Sequence, residues 1–228
     1  MDNTLLNNAL NKAITGEVRF DQPTRILYST DASIYQIEPL GVAFPRTLDE
    51  LTACVEITAA YKVPVLARGA GSSLAGQAIG PALILDCSRY LHRQVEINPE
   101  DRSATVEPGV ILATLNKAAA RFGLHFGPDP ASAERATLGG VLANNASGAH
   151  SILYGMAADH LLSAEVILAD GSQATFEPIT LQEAHRRASL NFNLESAFYQ
   201  AAIQIREHYG GTIRQNWPDI WRRASGYN

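Results

Sequence analysis

Residues 64–77 read Pro64-Val65-Leu66-Ala67-Arg68-Gly69-Ala70-Gly71-Ser72-Ser73-Leu74-Ala75-Gly76-Gln77. Residues 63–67 have the length and apolar character of a buried strand, and three glycines follow within ten residues. Glycine tolerates positive φ and lets successive backbone N–H groups converge on an anion, so the segment is a candidate cradle for a diphosphate. It is not the dinucleotide fingerprint G-x-G-x-x-G, because counting from Gly69 the third glycine would stand where Leu74 does. Nor is it a Walker A loop: Gly71 and Gly76 have the right gap, but Gln77 and Ala78 replace the Lys and Ser/Thr that should follow. Taken alone, the segment reads equally as an ordinary glycine-rich turn.

Working outward, Gly41-Val42-Ala43-Phe44-Pro45 predicts a short buried strand closed by proline. Thr47 with Glu50 three residues on predicts a capping box, the threonine accepting from the Glu50 amide while the glutamate reaches back. The helix it opens runs to about Tyr61 with Leu48, Leu51, Val55 and Ala59 as its apolar set. Residues 82–86 read as another strand. Leu5, Leu6, Leu10, Ala13 and Ile14 predict a docking helix ending near Gly16, and Asp31, Ser33, Tyr35 and Gln36 lie in a polar stretch after it. Downstream, residues 95–97 and 104–106 flank a turn-rich Asn98-Pro99-Glu100-Asp101 and predict a hairpin. Ile111, Leu112, Leu115, Ala118, Ala119 and Phe122 predict a helix stopping at Gly123. Asp170-Gly171 predicts a second hairpin, and residues 181–209 two helices broken near Asn191-Phe192-Asn193.

The 228 residues are 46% hydrophobic and 18% charged, which is room for one large domain or two intimate lobes with ample core. A formal charge of -5 with no cluster of Lys and Arg argues against nucleic acid as a partner. No run approaches the roughly 18 apolar residues of a membrane span, and Met1-Asp2-Asn3-Thr4 lacks the pattern of a secretory signal. Cys54 and Cys87 are too far apart for zinc or iron–sulfur ligand spacing and form no disulfide framework, so a reduced cytoplasmic setting is expected.

A second segment, Thr137-Leu138-Gly139-Gly140-Val141-Leu142-Ala143-Asn144-Asn145-Ala146-Ser147-Gly148, follows Phe126-Gly127-Pro128-Asp129-Pro130. Small residues let a ligand lie against backbone, while Thr137, Asn144, Asn145 and Ser147 offer neutral hydrogen bonds. Its apolar residues are too few and too interrupted for a plain core helix, and the alternative is a tightly packed helix-turn with glycines at element crossings. The two segments reinforce each other, because a dinucleotide-sized cofactor needs contacts at its diphosphate and along both arms.

Together with Val106-Glu107-Pro108-Gly109, Tyr154-Gly155 and Leu168-Ala169-Asp170-Gly171, these motifs closely resemble, in order, the FAD-binding domain of the vanillyl-alcohol oxidase and p-cresol methylhydroxylase (PCMH) superfamily. The nearest branch looks like the D-lactate, glycolate and D-2-hydroxyglutarate dehydrogenases, particularly the bacterial FAD-linked oxidases fused to an iron–sulfur portion. The resemblance covers roughly residues 25–228. It implies an α+β fold: a two-lobed FAD-binding domain of PCMH type, with a small βαβ-containing N-terminal lobe and a larger lobe of mixed or antiparallel sheet flanked by helices. The expected divisions are an N-terminal docking helix in 1–24, lobe 1 in 25–108 and lobe 2 in 109–228.

By that resemblance, the cofactor-binding residues are Arg68, Gly69, Ala70, Gly71, Ser72, Ser73, Leu74 and Gln77 around the FAD diphosphate. Pro128, Asp129, Thr137, Leu138, Gly139, Gly140, Asn144, Ala146, Gly148 and Tyr154 are expected along its other side, and Val166 near the adenine end. Some members attach flavin covalently through a histidine that would fall at Ser72, so FAD is expected to be non-covalent here. The implied chemistry of the whole protein is oxidation of a small D-2-hydroxy acid to the 2-oxo acid, with hydride passing to flavin and a base taking the hydroxyl proton. In the relatives a stretch similar to residues 221–228, Trp221-Arg222-Arg223-Ala224-Ser225-Gly226-Tyr227-Asn228, is followed by a substrate domain that carries the metal-binding and catalytic histidines. The expectation is therefore a portion of a longer protein, inactive alone, with the catalytic residues unassigned and no metal site. A non-catalytic FAD-carrying electron-transfer subunit, a cofactor-free structural piece and an enolpyruvyl reductase of the same superfamily are the alternatives.

The residues outside these motifs read more simply. The six histidines, His92, His125, His150, His160, His185 and His208, are scattered with no pair at ligand spacing. His150 is the least isolated from the second segment but has no visible partner in sequence. Arg68 either neutralises diphosphate charge or packs its stem and pairs with a carboxylate across the loop. Asp86 and Asp129 read as turn-geometry carboxylates.

Overall fold

A computed structural model describes residues 3–190 and 193–220. The 221–228 motif and part of the predicted helix break at 191–193 lie outside these residues. The chain divides into two compact units, described as residues 3–160 and 161–220. The expected lobe boundary at 108/109 lies inside the first of them.

The first unit is built on a four-stranded sheet in the order β1 (Glu17–Arg19), β2 (Gly41–Phe44), β4 (Leu83–Asp86), β3 (Val65–Arg68). β2 and β3 both run parallel to the central β4, while β1 pairs antiparallel with β2. Every residue of β2 and β4 is buried, as continuous apolar runs covered on both faces should be. β3 departs from its reading as a buried strand. Among the described residues it pairs with β4 alone and lies at the sheet edge, where Val65 remains 37% exposed. β1 was not foreseen in the N-terminal segment, and its three residues are too short for alternation to register.

Helix α1 (Asn3–Ala13) docks on α3 (Leu48–Ala60) through the fully buried Leu6 and Leu10, and α2 (Gln22–Leu27) is capped by Asp21, whose carboxylate accepts from the Thr24 amide. Thr47 caps α3 as expected, Oγ1 accepting from the Glu50 amide at 3.2 Å. The reciprocal half of the box is not made as predicted. Glu50 instead accepts from the amides of Arg46 (2.8 Å), Thr15 (2.8 Å) and Gly16 (3.3 Å), tying the α1–β1 connection to the start of α3. The buried face of α3 is Cys54, Val55 and Thr58, and Leu48 is exposed, so the predicted stripe is displaced around the helix.

The hairpin β5–β6 (Val95–Asn98, Ser103–Val106) forms in the expected place. α4 (Leu112–Ala119) continues as a 3-10 turn to Phe122 and stops at Gly123, whose φ of 69° closes it. Val110, Leu112, Leu115 and Leu138 pack as one core with Phe126 against it. Residues 138–143 form a short helix, α5 (Leu138–Ala143), followed by α6 (Ser151–Tyr154). In the second unit, β7 (Ala164–Ile167) and β8 (Gln173–Phe176) pair antiparallel around Asp170-Gly171. α7 (Leu181–Leu190) and α8 (Leu194–Asn216) follow, α8 running well past the predicted Tyr209. Among the described residues no helix is long and apolar enough to cross a membrane.

Candidate functional site

The parallel strands deliver Phe44, Arg68 and Asp86 to one edge of the sheet, their carboxyl ends, where α/β sheets place ligands. The glycine loop starts there. Gly71 and Gly76 have φ of +66° and +78°, so the chain turns through conformations that a side chain would strain. Among the described residues nothing accepts from the amides of Gly69, Ala70, Gly71, Ser72, Ser73 and Leu74. Six consecutive free donors around a left-handed glycine are the geometry of an anion nest.

The polar stretch before β2 is the mould of this loop. The Ala32 amide donates to Gly71 O at 3.0 Å, Asp31 accepts from the Ala78 amide at 3.3 Å, and the Tyr35 ring lies against Gly76. Burial opposes ionisation of Asp31, but hydrogen bonds from Ser33 and Ala78 outweigh it and hold the carboxyl below its usual range.

Arg68 is spent on the scaffold. Its Nη1 donates to the carbonyls of Tyr28 (3.1 Å) and Ala78 (3.0 Å), and its Nη2 to Thr30 O (2.8 Å). The guanidinium also lies over the Tyr28 ring, 5.0 Å from its centroid, and Gly71 leaves room for it: a Cβ there would be 2.5 Å from Nη2. Burial lowers its pKa, against the pull of Tyr28, Asp86 and Asp31. The residue thus joins three chain segments through carbonyls and forms no salt bridge with a carboxylate among the described residues. Asp86 accepts from Tyr28 Oη at 2.5 Å and from the Ser88 amide and hydroxyl, both at 2.7 Å, closing the turn after β4. Ser73 Oγ donates to Gln77 Oε1 and accepts from the Gln77 amide, so this hydroxyl too is engaged within the loop. Leu74 is 82% exposed at its tip.

The second segment meets the first directly. Gly69 is pressed against Thr137, so that any side chain there would collide with Thr137 Oγ1. Thr137, Gly140 and Asn144 follow at helical spacing on one face of α5, and Thr137 itself is buried. The first two amides of α5 are taken by the carbonyls of Val110 and Pro108, both at 2.8 Å, and Gly139 is packed against Pro108. Asn144 Nδ2 donates to Gly140 O at 3.0 Å, while its Oδ1 is buried with no partner among the described residues. Ala146 packs on the core of Ala136, Val141 and Ala157, and Leu138 is buried beneath the helix.

Pro128 is fully buried, and Gly148 packs so closely on the Asp129 carbonyl that no side chain fits. Asp129 is more than a turn residue and His150 has a partner after all. Asp129 Oδ2 lies 2.5 Å from His150 Nδ1, and Oδ1 accepts from the His150 amide at 2.9 Å. These hydrogen bonds hold the Asp129 carboxyl below its ordinary range. Tyr154 packs on Gly127 and meets His125 edge-on at 5.5 Å. No group of described residues could hold a metal ion. Val166 lies half-buried on β7 in the second unit.

These residues fit a dinucleotide flavin. The free amide run matches a diphosphate, Gly69 brings the first segment against the Thr137 side chain of the second, and Asn144 has a buried acceptor without a donor among the described residues. Comparison with known proteins agrees. The model of a family described as FAD binding domain matches residues 39–177, more than half of the chain. The D-2-hydroxyglutarate dehydrogenase of Escherichia coli K12 is 33% identical over 223 residues, covering 95% of this chain and 22% of that protein. The glycolate oxidase subunit GlcD of Bacillus subtilis 168 is 34% identical over 164 residues, covering 69% of this chain and 34% of that subunit. The chain thus spans between about a fifth and a third of the length of these relatives. Among solved structures, the xylooligosaccharide oxidase of Myceliophthora thermophila C1 superposes with a TM-score of 0.65 at 24% identity, over 75% of this chain and 37% of that one.

Proposed function

This chain belongs to the FAD-binding domain family, and from that premise we propose that it is the flavin-holding portion of a longer dehydrogenase that oxidises a D-2-hydroxy acid of the lactate, glycolate or 2-hydroxyglutarate type. The observation that carries the reading is the run of six amides, residues 69–74, with no acceptor among the described residues, in a loop whose Gly69 packs against the Thr137 side chain at the start of α5. Such a cradle binds a diphosphate by dipoles and shape, which suits a chain whose formal charge is -5. When bound, FAD supplies the two-electron acceptor that side chains lack. The chain's own part is to anchor the diphosphate with residues 69–74, to fix that loop through Arg68 and Asp31, and to wall the cofactor with residues 128–129, 137–148 and 154. Val166 at the adenine end and lobes divided near residue 108 belong to the same proposal.

Ser72 stands where a covalently linked member would have histidine, which supports non-covalent attachment. The remaining length of the relatives supports a substrate portion, and in the fused type an iron–sulfur portion, outside this chain. A reducing, cytoplasmic setting is supported by Cys54 and Cys87, both free, buried and pushed up to about 12 by that burial. The test is titration of the purified chain with FAD, followed by flavin fluorescence and then by acid precipitation. Saturable quenching with a colourless pellet is expected. No binding would remove the reading, and a yellow pellet would remove non-covalent attachment.

A further inference from the structure

His150 and Asp129 are 21 positions apart, share no motif, and yet one carboxylate grips two donors of one residue. A carboxylate only accepts, so the imidazole carries its proton on Nδ1. Around it, Gly148 lies on the Asp129 carbonyl, Gly127 lies under Tyr154, and His160 Nε2 approaches Tyr154 O at 2.7 Å. Both partners remain partly open to solvent, with side-chain exposures of 67% and 40%, so the pair is not a core ion pair retained for packing.

We propose that His150 is a positioning residue: through Nδ1–H and its main-chain N–H it clamps Asp129, and this clamp holds the Gly127–Asp129 backbone against Gly148 and Tyr154 as one wall of the cofactor site. The inference rests on the FAD-binding reading for its consequence, but the clamp itself is measurable without flavin. Asparagine places an amide nitrogen where the imidazole has Nδ1, whereas glutamine places one nearer the position of Nε2. In the full chain, His150→Ala and His150→Gln are expected to weaken FAD binding about tenfold, as when the competent wall is formed a tenth of the time, and His150→Asn to restore it. Hydrogen exchange without flavin should show the amide of residue 150 losing protection in Asp129→Ala and keeping it in His150→Asn.

Rescue by glutamine and not by asparagine would overturn the proposal, because Nε2 would then be the working atom and the ring would touch ligand. Unchanged protection in Asp129→Ala would overturn it independently of flavin. If the wild-type chain takes up no FAD, the functional reading fails while the exchange experiment still decides the clamp.

Discussion

At the scale of single residues, the loop proposed to bind the diphosphate is shaped by side chains that are engaged with other protein groups. Arg68 illustrates this. If its charge faced the diphosphate, lysine would serve nearly as well, but one ammonium cannot span the carbonyls of Tyr28, Thr30 and Ala78 as the guanidinium fork does. Arg68→Lys is therefore expected to lower stability by about 1.5–3 kcal/mol, the worth of charge-assisted hydrogen bonds, and to weaken FAD binding with it. Retained melting temperature and affinity in that variant would return Arg68 to an electrostatic role. Gly71→Ala should cost at least about 1–2 kcal/mol from the left-handed backbone alone, and more because its Cβ displaces Nη2. A thermal melt reads it as a loss of roughly 2–8 °C for a chain of this size. The glycines were legible because their spacing along the chain is itself the signal. The partners of Arg68 were not, since Tyr28 and Thr30 lie 40 and 38 positions away and contribute carbonyls that any residue has. The same holds for Asp129 and His150, two unremarkable side chains until folding joins them.

At the scale of elements, periodicity found what was long or sharply punctuated. Thr47, Gly123 and Asp170-Gly171 each mark a boundary chemically, and the structure has one at each. β1 and the edge position of β3 escaped, because three residues carry no usable period and edge or centre is decided by which strands pair. The Glu50 side chain shows how a local motif can be read correctly in position and wrongly in partner. Its carboxylate joins α1, β1 and α3 through the amides of Thr15, Gly16 and Arg46. Burial opposes its ionisation, but hydrogen bonds led by Thr15 outweigh burial and lower its pKa. A depressed carboxyl stabilises the fold above its unfolded pKa, and the contribution is lost as pH falls through the folded value. Glu50→Gln should therefore melt below wild type at pH 7, and the gap should close as the pH is taken below the ordinary glutamate range. A gap that is constant from pH 7 to pH 3 would show that the charge contributes nothing.

At the scale of the whole molecule, the question is what a chain with a formal charge of -5 uses to hold a dinucleotide diphosphate. A basic patch is missing from the sequence, and Arg68 at the start of the loop has its fork filled by carbonyls. The proposed anchor is the row of backbone donors from Gly69 to Leu74, in a loop braced by Asp31, Ala32 and Tyr35 on one side and Thr137 on the other. Preorganised dipoles discriminate by shape, so affinity should track the diphosphate more than the isoalloxazine. FAD at a hundredfold excess over its dissociation constant adds about 2.7 kcal/mol to the folded state, which is roughly 5–11 °C in melting temperature for a chain of this length. ADP, which has the diphosphate without the flavin ring, should reproduce part of that shift at millimolar concentration. Riboflavin, which has the ring without the diphosphate, should produce little at the same concentration. The reverse order would place the binding energy on the ring and take residues 69–74 out of the anchor.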